Sequence, residues 1–324
     1  MAEPTALRIG TRASLLARTQ TGWVADRIRG HGHPVTIETI RTSGDERGDV
    51  PVPRIGGDGV FVRELEAALL DGRIDVAVHS LKDLPTATTA GLQLASVPPR
   101  AIPFDVLVSR RYPSLEALPP GAIVGTSSVR RALQVRALRP DLDVRGIRGN
   151  IDSRLSRLDA GEYAALVLAG AGLVRLGLES RITEILRPPT FWPAVGQGAL
   201  VVQARIDDVA TRAAVAPLDD AATHAAVRTE RAFLASLAGG CLAPIGGWAR
   251  RNADGDLEFG GCVLEERDGI IRRIVAEGVA APDQSPDLFG AAIAGQLRAA
   301  GADEMLAAAR TAALRSTPSR DQPE

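Results

Sequence analysis

The chain is short of cysteine, aromatics and lysine, and each shortage narrows what it can be. Two cysteines, Cys241 and Cys262, in 324 residues cannot make a disulfide framework. Neither thiol, nor any of His31, His33, His79 and His224, stands at zinc-ligand spacing, so no metal is expected. Aromatics are 3% of the chain against 45% apolar residues, so the cores must come from Ala, Val, Leu and Ile. No apolar run approaches the roughly 20 residues of a membrane span. The opening Met-Ala-Glu-Pro-Thr also lacks a basic stretch leading into an apolar one, so a cytosolic protein is expected. No Walker A or dinucleotide fingerprint is present, which counts against a nucleotide ligand. Net charge is −1, too small for the whole protein to attract nucleic acid or an anionic membrane.

Of the 38 basic residues only one is a lysine, Lys82. Codon usage in a GC-rich genome could leave one lysine by chance. The alternative is a site that needs a compact ammonium, because Lys and Arg are not interchangeable where a point charge must reach a confined spot. The charge is also unevenly spread. Residues 121–181 hold ten Arg against six Asp and Glu; residues 206–324 hold twelve Arg against eighteen. A basic middle segment in a neutral chain points to an anionic ligand, although most of these arginines will be solvated.

Strand and helix patterns alternate through the first two thirds, which predicts α/β layers with largely parallel sheets. Strands are expected at 7–9, 35–41, 74–78 and 92–97, with helices over 14–29 and 60–70. The pattern repeats with strands at 122–124, 144–147 and 165–169 and helices over 127–138 and 151–159. Pro-rich crossings at 97–103 and 187–193 divide the two series. The expected architecture is two lobes joined by two hinge crossings with a ligand cleft between them. Residues 1–98 with 199–217 form one lobe and 104–193 the other. A small α+β domain is expected over 219–315, with strands near 245–248, 256–264 and 269–277 and one long helix over 288–312. Residues 316–324 are polar and expected to be a disordered tail.

Two segments share a layout: Ile9-Gly-Thr-Arg-Ala-Ser14 and Val124-Gly-Thr-Ser-Ser-Val-Arg-Arg131. Each follows a strand and opens a helix, where free N–H groups and the helix dipole favour an anion. Arg12, Arg130 and Arg131 add charge that can pair with a carboxylate in a forked geometry. Arg145-Gly-Ile-Arg-Gly-Asn150 with Arg154, and Arg175 after another strand, extend the basic series. Ligands of open α/β sheets bind at such strand ends, and this many cations suit a polycarboxylate or polyphosphate. Asp83 sits among these charges. It could stabilise a developing cation and move protons, or it could cap the turn before Pro85 and pair with Lys82. Cys241 follows Gly239-Gly240 in a loop, where a thiol can be exposed and reactive or simply buried. Cys262 lies in a strand pattern and is expected to be a small buried hydrophobe.

Taken together the motifs resemble the porphobilinogen deaminase (hydroxymethylbilane synthase) family. The resemblance is carried in order by Ile9–Ser14, His79-Ser-Leu-Lys-Asp-Leu-Pro85, Val124–Arg131, Arg148-Gly-Asn150 with Arg154, Pro193-Ala-Val-Gly-Gln-Gly-Ala199 and Gly239-Gly-Cys-Leu-Ala-Pro-Ile245. It runs from about residue 7 to residue 250. It implies two periplasmic-binding-protein-like lobes plus an α+β domain bearing a cysteine loop. It also implies a transferase of tetrapyrrole biosynthesis that adds four porphobilinogens head to tail, with loss of ammonia, to a covalent dipyrromethane cofactor. Hydrolysis then releases hydroxymethylbilane. Cys241 matches the thioether attachment position and Asp83 the catalytic aspartate. Arg12, Ser14, Lys82, Thr126, Ser128, Arg130, Arg131, Arg148, Arg154 and Arg175 match the cofactor- and substrate-binding positions. The segment Arg54-Ile-Gly-Gly-Asp-Gly-Val-Phe61 resembles the family's lid, with Asp58 where a lysine is common and Arg54 keeping its charge. Phe104 takes a hinge position often held by arginine. A monomer working without metal, nucleic acid or membrane is expected. The competing reading is a noncatalytic two-lobed binding or sensor protein for a polycarboxylate, since fold alone does not fix function.

Overall fold

The computed structural model describes residues 6–41, 59, 62–238, 243–281 and 283–315. The first lobe begins with β1 (Leu7–Thr11), α1 (Leu15–Gly30) and β2 (Val35–Thr39). It continues with α2 (Arg63–Leu70), β3 (Val76–Ser80), a 3-10 turn (Leu81–Asp83) and β4 (Leu92–Ser96). The chain then crosses to the second lobe: β5 (Asp105–Ser109), β6 (Ile123–Gly125), α3 (Val129–Leu138), β7 (Asp143–Arg145) and α4 (Ile151–Asp159). The second lobe ends with β8 (Ala165–Ala169), α5 (Gly170–Arg175) and β9 (Glu184–Leu186). A second crossing returns the chain to the first lobe as β10 (Leu200–Arg205) and α6 (Val209–Val215). The third unit comprises α7 (Ala221–Ser236), β11 (Ile245–Arg251), β12 (Leu257–Arg267), β13 (Ile270–Val279), α8 (Pro286–Ala299) and α9 (Ala302–Arg315).

The first sheet has the order β2-β1-β3-β10-β4 and the second β7-β6-β8-β5-β9. In each, three parallel strands are followed by one antiparallel strand in fourth place. Val201 of β10 lies opposite His79 of β3, and Leu107 of β5 lies opposite Val167 of β8. Both antiparallel strands arrive directly from a crossing. This is the expected α/β architecture of two lobes joined by two crossings, with a small α+β domain attached. No helix among the described residues is long and apolar enough to cross a membrane.

The cores follow the composition. Ile9, Val24, Ile28, Val76 and Val202 fill one lobe, and Leu107, Val124, Val135, Val167 and Phe191 the other. In the third unit Phe233 and Phe259 meet edge to face at 4.9 Å. Cys262 is fully buried on β12, and burial pushes its thiol up to about 12, so it is an inert core residue.

Some elements differ from the sequence-based expectation. The helix expected over 288–312 is two helices, α8 and α9, separated where Gly301 adopts φ +98°, a left-handed conformation that ends a helix without steric penalty. The strand expected at 144–147 runs over 143–145. Strands β5 and β9 and the short helices α5 and α6 carry no pattern long enough to mark them. Phe104 is buried at the first crossing, edge-on to Trp248 at 4.9 Å and beneath Arg187, whose guanidinium carbon lies 4.6 Å from the ring centroid. An aromatic therefore fills the hinge position and draws an arginine from the opposite crossing onto its face.

Candidate active site

The C-terminal ends of the parallel strands meet at the cleft. On the first lobe, Ser14 caps α1 by accepting a hydrogen bond from the Ala17 amide at 3.3 Å, which places Arg12 in the strand–helix turn. Strand β3 ends in the 3-10 turn that carries Lys82 and Asp83. That turn is held from two sides. The Leu81 amide donates to the Ala199 carbonyl at 3.1 Å. Arg231 of α7 donates to the carbonyls of Pro85 and Thr86 at 2.9 and 2.8 Å. The fixed turn directs Lys82 and Asp83 into the cleft, and burial pulls the Lys82 ammonium down to about 8 against the attraction of Asp83.

On the second lobe, Ser128 caps α3 and accepts from the Arg131 amide at 3.4 Å. Arg154 of α4 donates to the Gly149 carbonyl at 2.8 Å. Burial, then Arg131 and Arg148, lower its pKa to about 10. Arg175, at the end of α5, donates to the Gly198 carbonyl of the second crossing at 2.7 Å, and burial lowers it to about 10 as well. Such weakly solvated cations gain most from an anionic ligand.

These side chains line one cavity of about 240 Å³ between the lobes. Its wall includes Arg12, Ser14, Lys82, Asp83, Arg131, Arg154 and Arg175. A second cavity of about 140 Å³ shares Lys82 and adds Ser128, Arg130 and, from the third unit, Leu234, Ala243 and Ile245. Between the two, Arg130 and Arg131 both bind the wholly buried Asp105, at 2.7 and 2.8 Å. Despite its burial, these two arginines hold the Asp105 carboxyl down at about 2.

The hinge is knotted by a second buried carboxylate. Glu230 of α7 accepts from Arg100 of the first crossing at 2.5 Å and from the Gly196 amide of the second at 2.6 Å. It also accepts from Ala249 of β11 at 2.8 Å. At Gly198 the crossings run so close that a Cβ would lie 2.6 Å from the Ala101 carbonyl oxygen and 2.7 Å from that of Ile102. Its φ of +87° adds a second reason for glycine.

Residues 7–213 match the family model described as porphobilinogen deaminase, dipyromethane cofactor binding domain, and residues 224–299 match porphobilinogen deaminase, C-terminal domain. The chain belongs to the porphobilinogen deaminase family. The porphobilinogen deaminase of Acidothermus cellulolyticus is 47% identical, over 93% of this chain and 91% of that protein. That of Nitratidesulfovibrio vulgaris is 45% identical, over 93% and 96%. That of Roseiflexus castenholzii is 47% identical, over 93% and 98%. As a porphobilinogen deaminase family member the chain is a transferase of tetrapyrrole biosynthesis, and its first two lobes are the dipyrromethane cofactor-binding region.

Of the family's site positions, seven line the larger cavity and two more, Ser128 and Arg130, line the smaller one. Thr126 and Arg148 line neither. Thr126 is buried, and its hydroxyl accepts from the Ser128 amide at 3.3 Å, so it shapes the turn. Arg148 is half-buried beside Arg154. Cys241, Arg54, Asp58 and Phe61 lie outside the described residues, as does the tail over 316–324. Sequence reasoning missed Gln20, which is buried and donates to Ser80 Oγ at 2.9 Å on the cavity wall. It also missed Asp105 and Glu230. A buried polar residue on an apolar helix face was the available signal for Gln20 and Glu230.

Proposed function

We propose that the chain joins four porphobilinogen molecules head to tail, losing one ammonia at each step, onto a dipyrromethane held by a thioether to Cys241. Hydrolysis then releases hydroxymethylbilane. The observation that carries this reading is the larger cavity, where Asp83 shares the wall with Lys82, Arg12, Arg131, Arg154 and Arg175. Every porphobilinogen ring bears an acetate and a propionate. Guanidiniums and one ammonium at strand ends suit two carboxylates per ring.

The smaller cavity fits the cofactor by the chemistry of its donors. Lys82, Ser128 and Arg130 can bind ring carboxylates, and the wall reaches Ala243, two residues past Cys241. When bound, the dipyrromethane supplies the electron-rich pyrrole carbon from which the chain grows. In the larger cavity Arg12, Arg154 and Arg175 hold the incoming ring through its carboxylates. The protonated amino group on the aminomethyl arm of porphobilinogen leaves as ammonia, taking the electrons of its carbon–nitrogen bond, and positive charge develops on the methylene that stays on the pyrrole. Asp83 stabilises that charge in a half-buried site where water screens little. It also stands ready to take the proton lost when the new carbon–carbon bond forms. The other carboxylate on this wall, Asp152, is exposed in the first turn of α4 and serves less well.

Intact mass and ammonia release test the reading together. The purified protein should be heavier than its sequence by two pyrrole units on the Cys241 peptide and should release one ammonia per porphobilinogen consumed. Turnover with an unmodified Cys241 would reject the attachment, and no turnover with a loaded Cys241 would reject the polymerisation.

A further inference from the structure

Asp105 lies where the two cavities and the two crossings come together. It opens β5 directly after the first crossing and is wholly buried. Its Oδ2 accepts from Arg130 Nη1 at 2.7 Å, and its Oδ1 accepts from Arg131 Nε at 2.8 Å and Gln197 Nε2 at 3.0 Å. Gln197, buried in the second crossing, accepts from Arg131 Nη2 at 3.2 Å and also donates to the Pro103 carbonyl at 2.8 Å. Arg130 Nη1 donates further to the Trp192 carbonyl.

Two guanidiniums on successive residues of one helix repel each other, and burying both without a counter-charge is costly. One carboxylate shared between them removes that cost and sends them to different places. Arg130 lines the smaller cavity and Arg131 the larger. Arg131 uses Nε for Asp105, one Nη1 hydrogen for the Val167 carbonyl at 3.3 Å and one Nη2 hydrogen for Gln197. A guanidinium has five N–H groups, so one hydrogen remains on each terminal nitrogen. That pair is the fork a carboxylate binds.

We propose that Asp105 is a positioning residue of the reaction: it divides the Arg130–Arg131 pair between the two cavities, so that each cavity offers one guanidinium to one ring. The inference rests on the proposed function, because the anions so divided are the ring carboxylates of cofactor and substrate. It goes further in making the placement of both arginines depend on the crossings, through Asp105 and Gln197, rather than on α3 alone. It also assigns Asp105 an effect on Lys82, which Asp83 and Asp105 hold protonated while burial, Arg131 and Arg130 oppose them.

The test is a double-mutant cycle of Asp105→Asn and Arg131→Lys, with Asp105→Glu and Gln197→Leu measured in parallel. Wild-type turnover of porphobilinogen is established first, so that failure of the functional reading shows before any variant is compared. In Asp105→Asn, KM for porphobilinogen should rise roughly tenfold with kcat within about threefold, the pattern of lost binding rather than lost chemistry. Cofactor loading, read as intact mass, should fall, and the alkaline rise of KM should move to lower pH because Lys82 loses a stabilising anion. Asp105→Glu should recover most of the KM change. The double variant should lose less than the product of the two single effects, since part of what Asp105 does passes through that guanidinium. If Asp105→Asn does not fold, Gln197→Leu decides: a KM raised about threefold supports the proposal, and an unchanged KM overturns it. Independent, multiplying effects in the cycle would also overturn it, as would a lowered melting temperature with unchanged KM, loading and pH profile.

Discussion

The two lobes are one design used twice, with the chemistry placed at different ends of it. Each sheet has three parallel strands and a fourth, antiparallel strand supplied by a crossing. Each contains a Gly-Thr turn into a Ser-capped helix, at Gly10–Ser14 and at Gly125–Ser128. The third parallel strand then ends differently. In the first lobe β3 runs into a 3-10 turn bearing Lys82 and Asp83; in the second, β8 runs into α5, which ends on Arg175. The segments that follow the third parallel strand thus carry Asp83 in one lobe and Arg175 in the other. A duplicated scaffold fixes where side chains can reach, and under the proposed function residue choice at the strand ends decides which lobe reacts and which lobe holds.

The sharpest way to break this comparison is to disable the two ends separately. Asp83→Asn keeps the shape but loses the charge, and kcat should fall on the order of a hundredfold or more with porphobilinogen binding retained. Arg175→Leu should instead raise KM with a much smaller change in kcat. Steady-state kinetics on the pair would refute the division of labour if both variants lost kcat alike.

The lobes should also part company in acid. His79 of β3 is buried against Gln203 Oε1 at 3.0 Å, and burial lowers it to about 4. A histidine depressed in the folded state is protonated first in the unfolded chain. Stability is therefore lost as pH falls from about 6.5 to about 4, by on the order of 3 kcal/mol at most. Asp105 of the second lobe, held at about 2, keeps its stabilisation until pH falls below about 4 and loses it towards 2. Hydrogen exchange near pH 5 should show the first sheet losing protection while the second keeps it. Equal loss in both would contradict the assignment.

A smaller contrast concerns the paired glycines. A Cβ on Gly10 would lie 2.4 Å from Ile74 Cδ1, the end of a flexible side chain. A Cβ on Gly125 would lie 2.5 Å from Leu166 Cδ2 and 2.8 Å from Cδ1 of Tyr163, a ring anchored by its hydroxyl to the Gly146 carbonyl at 2.9 Å. Gly125→Ala should cost about 2–3 kcal/mol and Gly10→Ala about 1 kcal/mol in denaturant unfolding. The smallest effect expected is at Lys82. Its ammonium titrates at about 8, so KM should rise a few-fold as pH passes from 7 to 9, with kcat moving less. A flat KM over that range would show that Lys82 binds no substrate carboxylate.

Much of the repeated design was legible because it is local. Val35–Thr39, Ile151–Asp159 and Ala165–Ala169 announce themselves by period and by flanking turns. The Gly-Thr turns and their capping serines are visible as syntax. What escaped notice is what depends on distant partners. The Val106-Leu-Val108 run is too short to distinguish strand from loop, and its place in the sheet is set by β8 and β9, some sixty to eighty residues later. Asp105 reads as an ordinary polar residue after a Pro-rich crossing until Arg130, Arg131 and Gln197 close around it. Arg130 and Arg131 stood out as an anion site, and each also gives one N–H to this internal carboxylate. The break at Gly301 was missed because α8 and α9 keep a helical apolar pattern on either side of it.

The return of β10 to the first sheet carries a consequence for how the chain is made. The second sheet is contiguous, from Asp105 to Leu186, and every strand it needs leaves the ribosome together. The first sheet is not: β3 and β4 flank a gap that only β10 can fill, and β10 ends at Arg205. During vectorial synthesis the lobe made first is therefore the lobe completed last. Until then the edges of β3 and β4 present unpaired backbone to any passing strand. The turn at Leu81–Asp83, whose first amide bonds to Ala199, is among the last parts of the lobe to set.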